Sequence, residues 1–137
     1  MTTAQDIADR YVALWTEPDP ARRRAAIEGL WAAGGVHLLH PPEEIREQAA
    51  ALGFGESALE ARGYDALEQR VTRAYREFVA GGEYSFRGVG EAVRLRDAVR
   101  LTWEMVAVGS GDVLGGGVDV LVLDDRGRII TDYQFPA

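Results

Sequence analysis

The stretch Gly117-Val118-Asp119-Val120-Leu121-Val122-Leu123-Asp124-Asp125-Arg126-Gly127-Arg128-Ile129 decides the fold. It reads as an apolar, β-branched run, an acidic turn closed by glycine, and the start of a return run, which is the pattern of an antiparallel hairpin. The same period of two extends outward over four strands: Tyr84 to Leu95, Ala98 to Val108, Val113 to Leu123, and Arg128 to Phe135. The connectors Arg96-Asp97, Gly109-Ser110-Gly111-Asp112 and Asp124-Asp125-Arg126-Gly127 are short and turn-rich, so the strands form a meander. In Val118 to Leu123 no face is polar throughout. A sheet with one wet face should alternate, so this one is expected to be covered on both sides.

Upstream the period is helical. Ile7, Tyr11, Leu14 and Trp15 form one apolar stripe, with Thr3 as a cap, and Pro18 and Pro20 end that helix. Asp19 caps a second helix with Pro20 at its first position and Ala26, Ile27, Leu30 and Trp31 on its stripe. Its run Arg22-Arg23-Arg24 reads as a solvated face. Gly34-Gly35 stops this helix, and Val36 to His40 reads as a short strand closed by Pro41-Pro42. A helix is expected over Glu43 to Leu52, and a loop or a frayed short helix over Gly53 to Arg62. A stronger helix carries Tyr64, Leu67, Val71, Ala74, Tyr75 and Phe78, and Gly81-Gly82 ends it. Helices first and strands last give an α+β fold. We expect a single domain over residues 1–137, a curved antiparallel sheet packed by N-terminal helices into a cone around one apolar pocket.

Composition narrows the function. The chain has 137 residues, 47% of them hydrophobic, enough for a core without covalent staples. It has no cysteine, which removes disulfides, thiolate metal sites and a thiol nucleophile. A net charge of -7 repels phosphate backbones and anionic lipid, so neither nucleic acid nor membrane is an expected partner. The N-terminus lacks the basic and apolar regions of a secretory signal, and a cytoplasmic location is expected.

The order of elements and several local strings resemble the nuclear-transport-factor-2-like superfamily, and within it the SnoaL-like polyketide cyclases and ketosteroid isomerases. The segment Gly117 to Ile129 is similar to the family's Gly-x-Asp strand, acidic turn and return strand. Arg100-Leu101-Thr102-Trp103-Glu104 resembles the strand before it, and Arg10-Tyr11-Val12-Ala13-Leu14 the first helix. The resemblance implies a small-molecule isomerase, cyclase or dehydratase, although the fold also hosts epoxide hydrolases and binders without activity.

Three residues are candidates for chemistry. Asp119 shares a strand face with Leu121 and Leu123, so it must be paired, hydrogen-bonded or protonated. In ketosteroid isomerases the matching aspartate is protonated and donates to an oxyanion; the resemblance implies the same for Asp119. Tyr11 resembles the tyrosine that shares this oxyanion hole. His40 stands where the family has its base, in His40-Pro41 instead of aspartate-proline, and imidazole exchanges protons near neutral pH. His37 lies an odd number of residues away, so a regular strand turns it to the other face and no shared metal site is expected. Gly115-Gly116-Gly117 precedes a strand and is no phosphate loop. No cofactor is expected.

Trp15, Trp31, Trp103, Tyr75 and Phe78 are candidates for holding a flat hydrophobic ligand. Glu104 and Asp132 are open between secondary acids and dimer-face residues, and Arg94, Arg100 and Asp132 are the loose candidates for an epoxide hydrolase network. The expected function is a lyase or isomerase acting on a polyketide- or steroid-like substrate, with a non-catalytic hydrophobic binder as the alternative. The apolar outer face of the sheet suggests a homodimer.

Overall fold

In the computed structural model, residues 2–41, 43, 47, 48, 51 and 59–137 are described. Helix α1 (Ala4–Leu14) starts at a full capping box, in which Thr3 accepts from the Asp6 backbone and Asp6 accepts from that of Thr3. Helix α2 (Pro20–Leu30) is capped by Asp19. Strand β1 (Trp31–Leu39) follows without a turn, so Trp31 and Gly34-Gly35 belong to a strand and not to the end of α2. The two glycines do not terminate a helix here. A Cβ at Gly35 would meet the Ile129 carbonyl oxygen and the Trp31 ring, each at 2.7 Å, so only glycine lets the chain pass this point.

Leu59–Arg62 forms strand β2 against β1, where a loop was expected. Four residues with little periodicity take strand form because the edge of β1 offers them backbone partners. The rest of that loop and most of the helix expected over 43–52 lie outside the described residues. Helix α3 (Tyr64–Ala74) runs on into a wider π turn over Tyr75–Val79, closed by the bond from Ala80 N–H to the Tyr75 carbonyl at 2.8 Å. Strands β3 (Tyr84–Leu95), β4 (Ala98–Ala107), β5 (Val113–Leu123) and β6 (Ile129–Pro136) form the expected meander.

The sheet order is β2-β1-β6-β5-β4-β3. All pairings are antiparallel except β1 with β6, which is parallel because the helical and loop segments intervene. Irregular register between Val89 and Val93, and between Met105 and Val106, bends the sheet. The concave face presents Val99, Leu101, Leu121, Leu123 and Ile129 to Ile7, Leu14, Ile27, Leu30, Leu67 and Val71 of the three helices. This is the expected α+β architecture, helices first and sheet last.

The three-arginine run is not a uniform solvated face. Arg23 is buried: it donates to the Glu17 carbonyl and to Thr72, and its guanidinium lies 4.6 Å from the centre of the Tyr75 ring. It ties α2 to α3. Arg24 pairs with Asp65 and Glu28 outside it. No described helix is long and apolar enough to cross a membrane.

Gly117 sits under the Trp103 indole. A Cβ there would lie 2.7 Å from the ring and 2.8 Å from the Phe135 carbonyl oxygen, which belongs to the backbone of the paired strand. Gly117→Ala should therefore cost about 1–3 kcal/mol, the usual penalty of overpacking. Urea unfolding of the two proteins would measure it, and an unchanged midpoint would contradict this packing.

Candidate functional site

Strand alternation sends Asp119 of β5 and Asp132 of β6 to the concave face, and the buried stripe of α1 brings Tyr11 down between them. The Tyr11 hydroxyl lies 2.6 Å from Oδ2 of Asp119 and 2.6 Å from Oδ2 of Asp132. Both carboxyls are wholly shielded from solvent. A hydroxyl carries one proton, so it can donate to only one of two ionised carboxylates. The other contact at 2.6 Å requires a second proton on a carboxyl group.

The surroundings assign that proton. Burial, and then the neighbouring Asp119 charge, push the Asp132 carboxyl well above the usual carboxylate range. Asp119 collects donors instead: Trp103 Nε1–H at 2.7 Å and the Gln134 amide at 3.2 Å reach its Oδ1, and Tyr11 reaches Oδ2. With Asp132 held protonated and Tyr11 neutral, Asp132 donates to the Tyr11 oxygen and Tyr11 donates to Asp119, so the acid of the pair is Asp132 and not, as the resemblance implies, Asp119. Burial and the two carboxyl groups hold the Tyr11 phenol well above its ordinary value, so it stays a donor.

His37 is the third buried ionisable group. It faces Asp132 across the β1–β6 pairing, with Nε2 3.7 Å from Asp132 Oδ2. On its other side Arg70 of α3 places Nη1 2.9 Å from Nδ1. Arginine only donates, so Nδ1 accepts and the hydrogen of the neutral ring resides on Nε2. Burial brings the His37 pKa down to about 4; Asp119 opposes this and the Arg70 cation adds to it. His37 is thus neutral at pH 7, with its N–H turned to the carboxyl pair. Donor atoms of His37, Asp119 and Asp132 lie within 4.8 Å of one another, close enough to grip a cation. A hydroxyl between the carboxyls and a hydrogen on Nε2 suit the cluster to protons instead.

The cluster backs a cavity of about 720 Å³. Tyr11, His37, Trp103 and Gln134 form its polar floor, and Trp15, Phe78, Phe86 and Met105 are among its apolar walls. Of the aromatic candidates, Trp15, Trp103 and Phe78 line it. Trp31 does not: it is fully buried in the core, its ring 5.8 Å from that of Tyr11. Tyr75 does not either, because its face is covered by Arg23.

His40 is not part of this site. It lies beyond the end of β1 on the opposite face, exposed, its ring 6.0 Å from that of Phe135. The parity that separates the two histidines holds, and it is His37 that turns inward. Arg94 and Arg100 are exposed and do not approach Asp132, so the network they were to form with it is not assembled. Glu104 lies on the outer face, paired with Arg87 at 3.0 Å. His37, Asp132, Gln134 and Arg70 were not singled out from the sequence as a group. The signal for two of them was present: Asp132 and Gln134 alternate as polar residues on a strand whose inward face should be apolar.

Neither the known family models nor the curated proteins include a match to this chain. Solved structures do match. A candidate isomerase of the SnoaL-like family from Agrobacterium tumefaciens superposes with a TM-score of 0.78 at 25% identity, covering 100% of this chain and 99% of its own. A SnoaL-like protein of unknown function from Burkholderia thailandensis gives 0.65 at 16% identity, over 98% and 94% of the two chains. A candidate polyketide cyclase from Sinorhizobium meliloti gives 0.60 at 12% identity, over 95% and 94%. The chain has the nuclear-transport-factor-2-like fold in its SnoaL-like form.

The buried His37 has a measurable consequence. Its folded pKa lies below the unfolded value of 6.5, so between pH 4 and 6.5 the unfolded chain binds a proton that the native chain refuses. Stability due to this group rises with pH through that window and is lost as pH falls. The stability of the wild type relative to His37→Gln should therefore rise by about 3 kcal/mol from pH 4 to pH 7. Chemical denaturation across that range checks it; a pH-independent difference would contradict a neutral, buried imidazole.

Proposed function

We propose that the protein is a cofactor-independent isomerase or lyase that moves a proton on a hydrophobic, polyketide- or steroid-like carbonyl compound held in the cavity. The observation that carries this reading is the Tyr11 hydroxyl, in the floor of an apolar pocket, shared between two buried carboxyl groups directly behind it. Such a cluster holds a removable proton and a charge side by side, as acid–base catalysis needs.

In this mechanism Tyr11 turns its hydroxyl onto the ligand oxygen as negative charge develops there, and Asp132 supplies the hydrogen bond behind it. Asp119 then loses one of its donors, which leaves Oδ2 free to accept. It accepts the proton from the carbon next to the carbonyl and returns it elsewhere. Gln134, whose contacts with Asp119 are the longest in the cluster at 3.2 and 3.4 Å, is the side chain that moves aside. His37 remains neutral and positions Asp132. The complete burial of both carboxyl groups supports a second reading, a hydrophobic binder without turnover.

Exchange of solvent deuterium into 2-tetralone, followed by proton NMR, separates the two. The isomerase reading expects enzyme-dependent exchange at the carbons beside the carbonyl, reduced on the order of 10²- to 10⁴-fold in Asp119→Leu and unchanged in His40→Ala. Binding of 2-tetralone without any exchange would leave the binder.

The working form is a homodimer through the convex sheet face. Supporting this, Tyr133 and Phe135 are 41% and 48% exposed there, beside half-buried Val118, Val120 and Val122. Such a face is the kind that a second copy covers. Light scattering at micromolar concentration should give twice the 15.0 kDa chain mass; a monomer at high concentration would refute it.

A further inference from the structure

Among the described residues, the ionisable side chains that line the cavity are paired or neutral except for one. Glu60 pairs with Arg62 at 3.1 Å, and Arg73 pairs with Glu77 at 3.1 Å. His37 is neutral. Arg70 lines the cavity half-buried, yet makes no ion pair among the described residues. Its Nη1 alone makes the structural contacts: the His37 ring nitrogen, the His37 carbonyl at 3.2 Å and the Leu59 carbonyl at 3.0 Å. Nη2 and Nε have no acceptor among the described residues. A half-buried guanidinium cannot shed its proton, and its burial is disfavoured; Asp132, behind His37, offsets this without making an ion pair with it. The side chain is also held still, since Nη1 is pinned to β1 and β2. A fixed fork with two unspent edges matches the planar geometry of a carboxylate.

We infer that Arg70 is an anion subsite of the cavity, and that the ligand is a hydrophobic compound carrying a carboxylate or a comparably acidic oxygen. This rests on the proposed reading of the cavity as a hydrophobic small-molecule site and names the class of its substrate. The apolar walls accept the body of the ligand, and Arg70 fixes one end of it. A neutral ligand would leave the guanidinium uncompensated, so the site discriminates by charge.

Calorimetric titration with 2-naphthoate and its uncharged isostere 2-naphthamide tests the subsite apart from the pocket. The expected result at pH 7 is binding of the carboxylate about tenfold or more tighter than the amide, the size of a charge-assisted hydrogen bond. The preference should vanish in Arg70→Gln and survive in part in Arg70→Lys, which keeps charge without the fork. Equal affinities, or tighter binding of the amide, would overturn the subsite while leaving the hydrophobic pocket intact. Failure of both probes to bind would remove the pocket reading and the subsite with it. If Arg70→Gln fails to fold because β1 and β2 lose their tie, the comparison of the two probes on the wild type still decides.

Discussion

A single hydroxyl proton shared between two buried carboxyl groups sets the terms for the rest of this structure. Asp119 and Asp132 sit on neighbouring strands with their charges turned to the same dry interior, an arrangement that two ionised carboxylates could not hold. Tyr11 makes it tenable by linking them, and the linkage holds only if α1 lies directly over β5 and β6. The capping box at Thr3 and Asp6 and the stripe of Ile7 and Leu14 keep it there. The polar cluster thus dictates where the first helix docks, and the helix dictates the proton count of the cluster.

From that centre the other polar contacts follow as compensation. Trp103 reaches Asp119 because Gly117 leaves space for its indole on the strand surface. His37 takes its place beside Asp132 because Arg70 holds the far side of its ring. Arg70 can do so because α3 crosses the β1–β2 edge, where two backbone carbonyls receive its Nη1. Each of these residues would be costly alone in an apolar interior; two hydrogen-bonded groups, Tyr11 with the carboxyl pair and His37 with Arg70, lie side by side beneath a hydrophobic cavity.

Most of the architecture was legible from local patterns. The four-strand meander, the caps of both first helices and the change of period after Gly82 are consequences of short-range backbone preference, and the strands end within about two residues of where alternation places them, the usual accuracy of such boundaries. Asp119 and Tyr11 were legible because each is a polar group on an otherwise apolar face. The reading failed where a choice depended on distant partners. Trp31 carries helical spacing with Ile27, yet it opens β1, since Ile129 stands ready to pair with it. Leu59 to Arg62 has no period of its own and becomes a strand because β1 needs an edge partner.

The two histidines show most clearly what each level of information determines. The amino-acid sequence alone establishes that His37 and His40 face opposite ways, because side chains alternate along a strand. It equally establishes an α+β chain without thiol chemistry and with a carboxyl group placed in its apolar interior. Which histidine points inward is a matter of which face of β1 meets the helices. That was decided only when β1 paired in parallel with β6, bringing His37 opposite Asp132 and leaving His40 beside Phe135. Protonation states were decided at the same level. Asp132 is held protonated by burial and by a carboxyl on the neighbouring strand, and the hydroxyl that links the two comes from the first helix, so no local pattern encodes a contact that exists only once the chain has closed on itself.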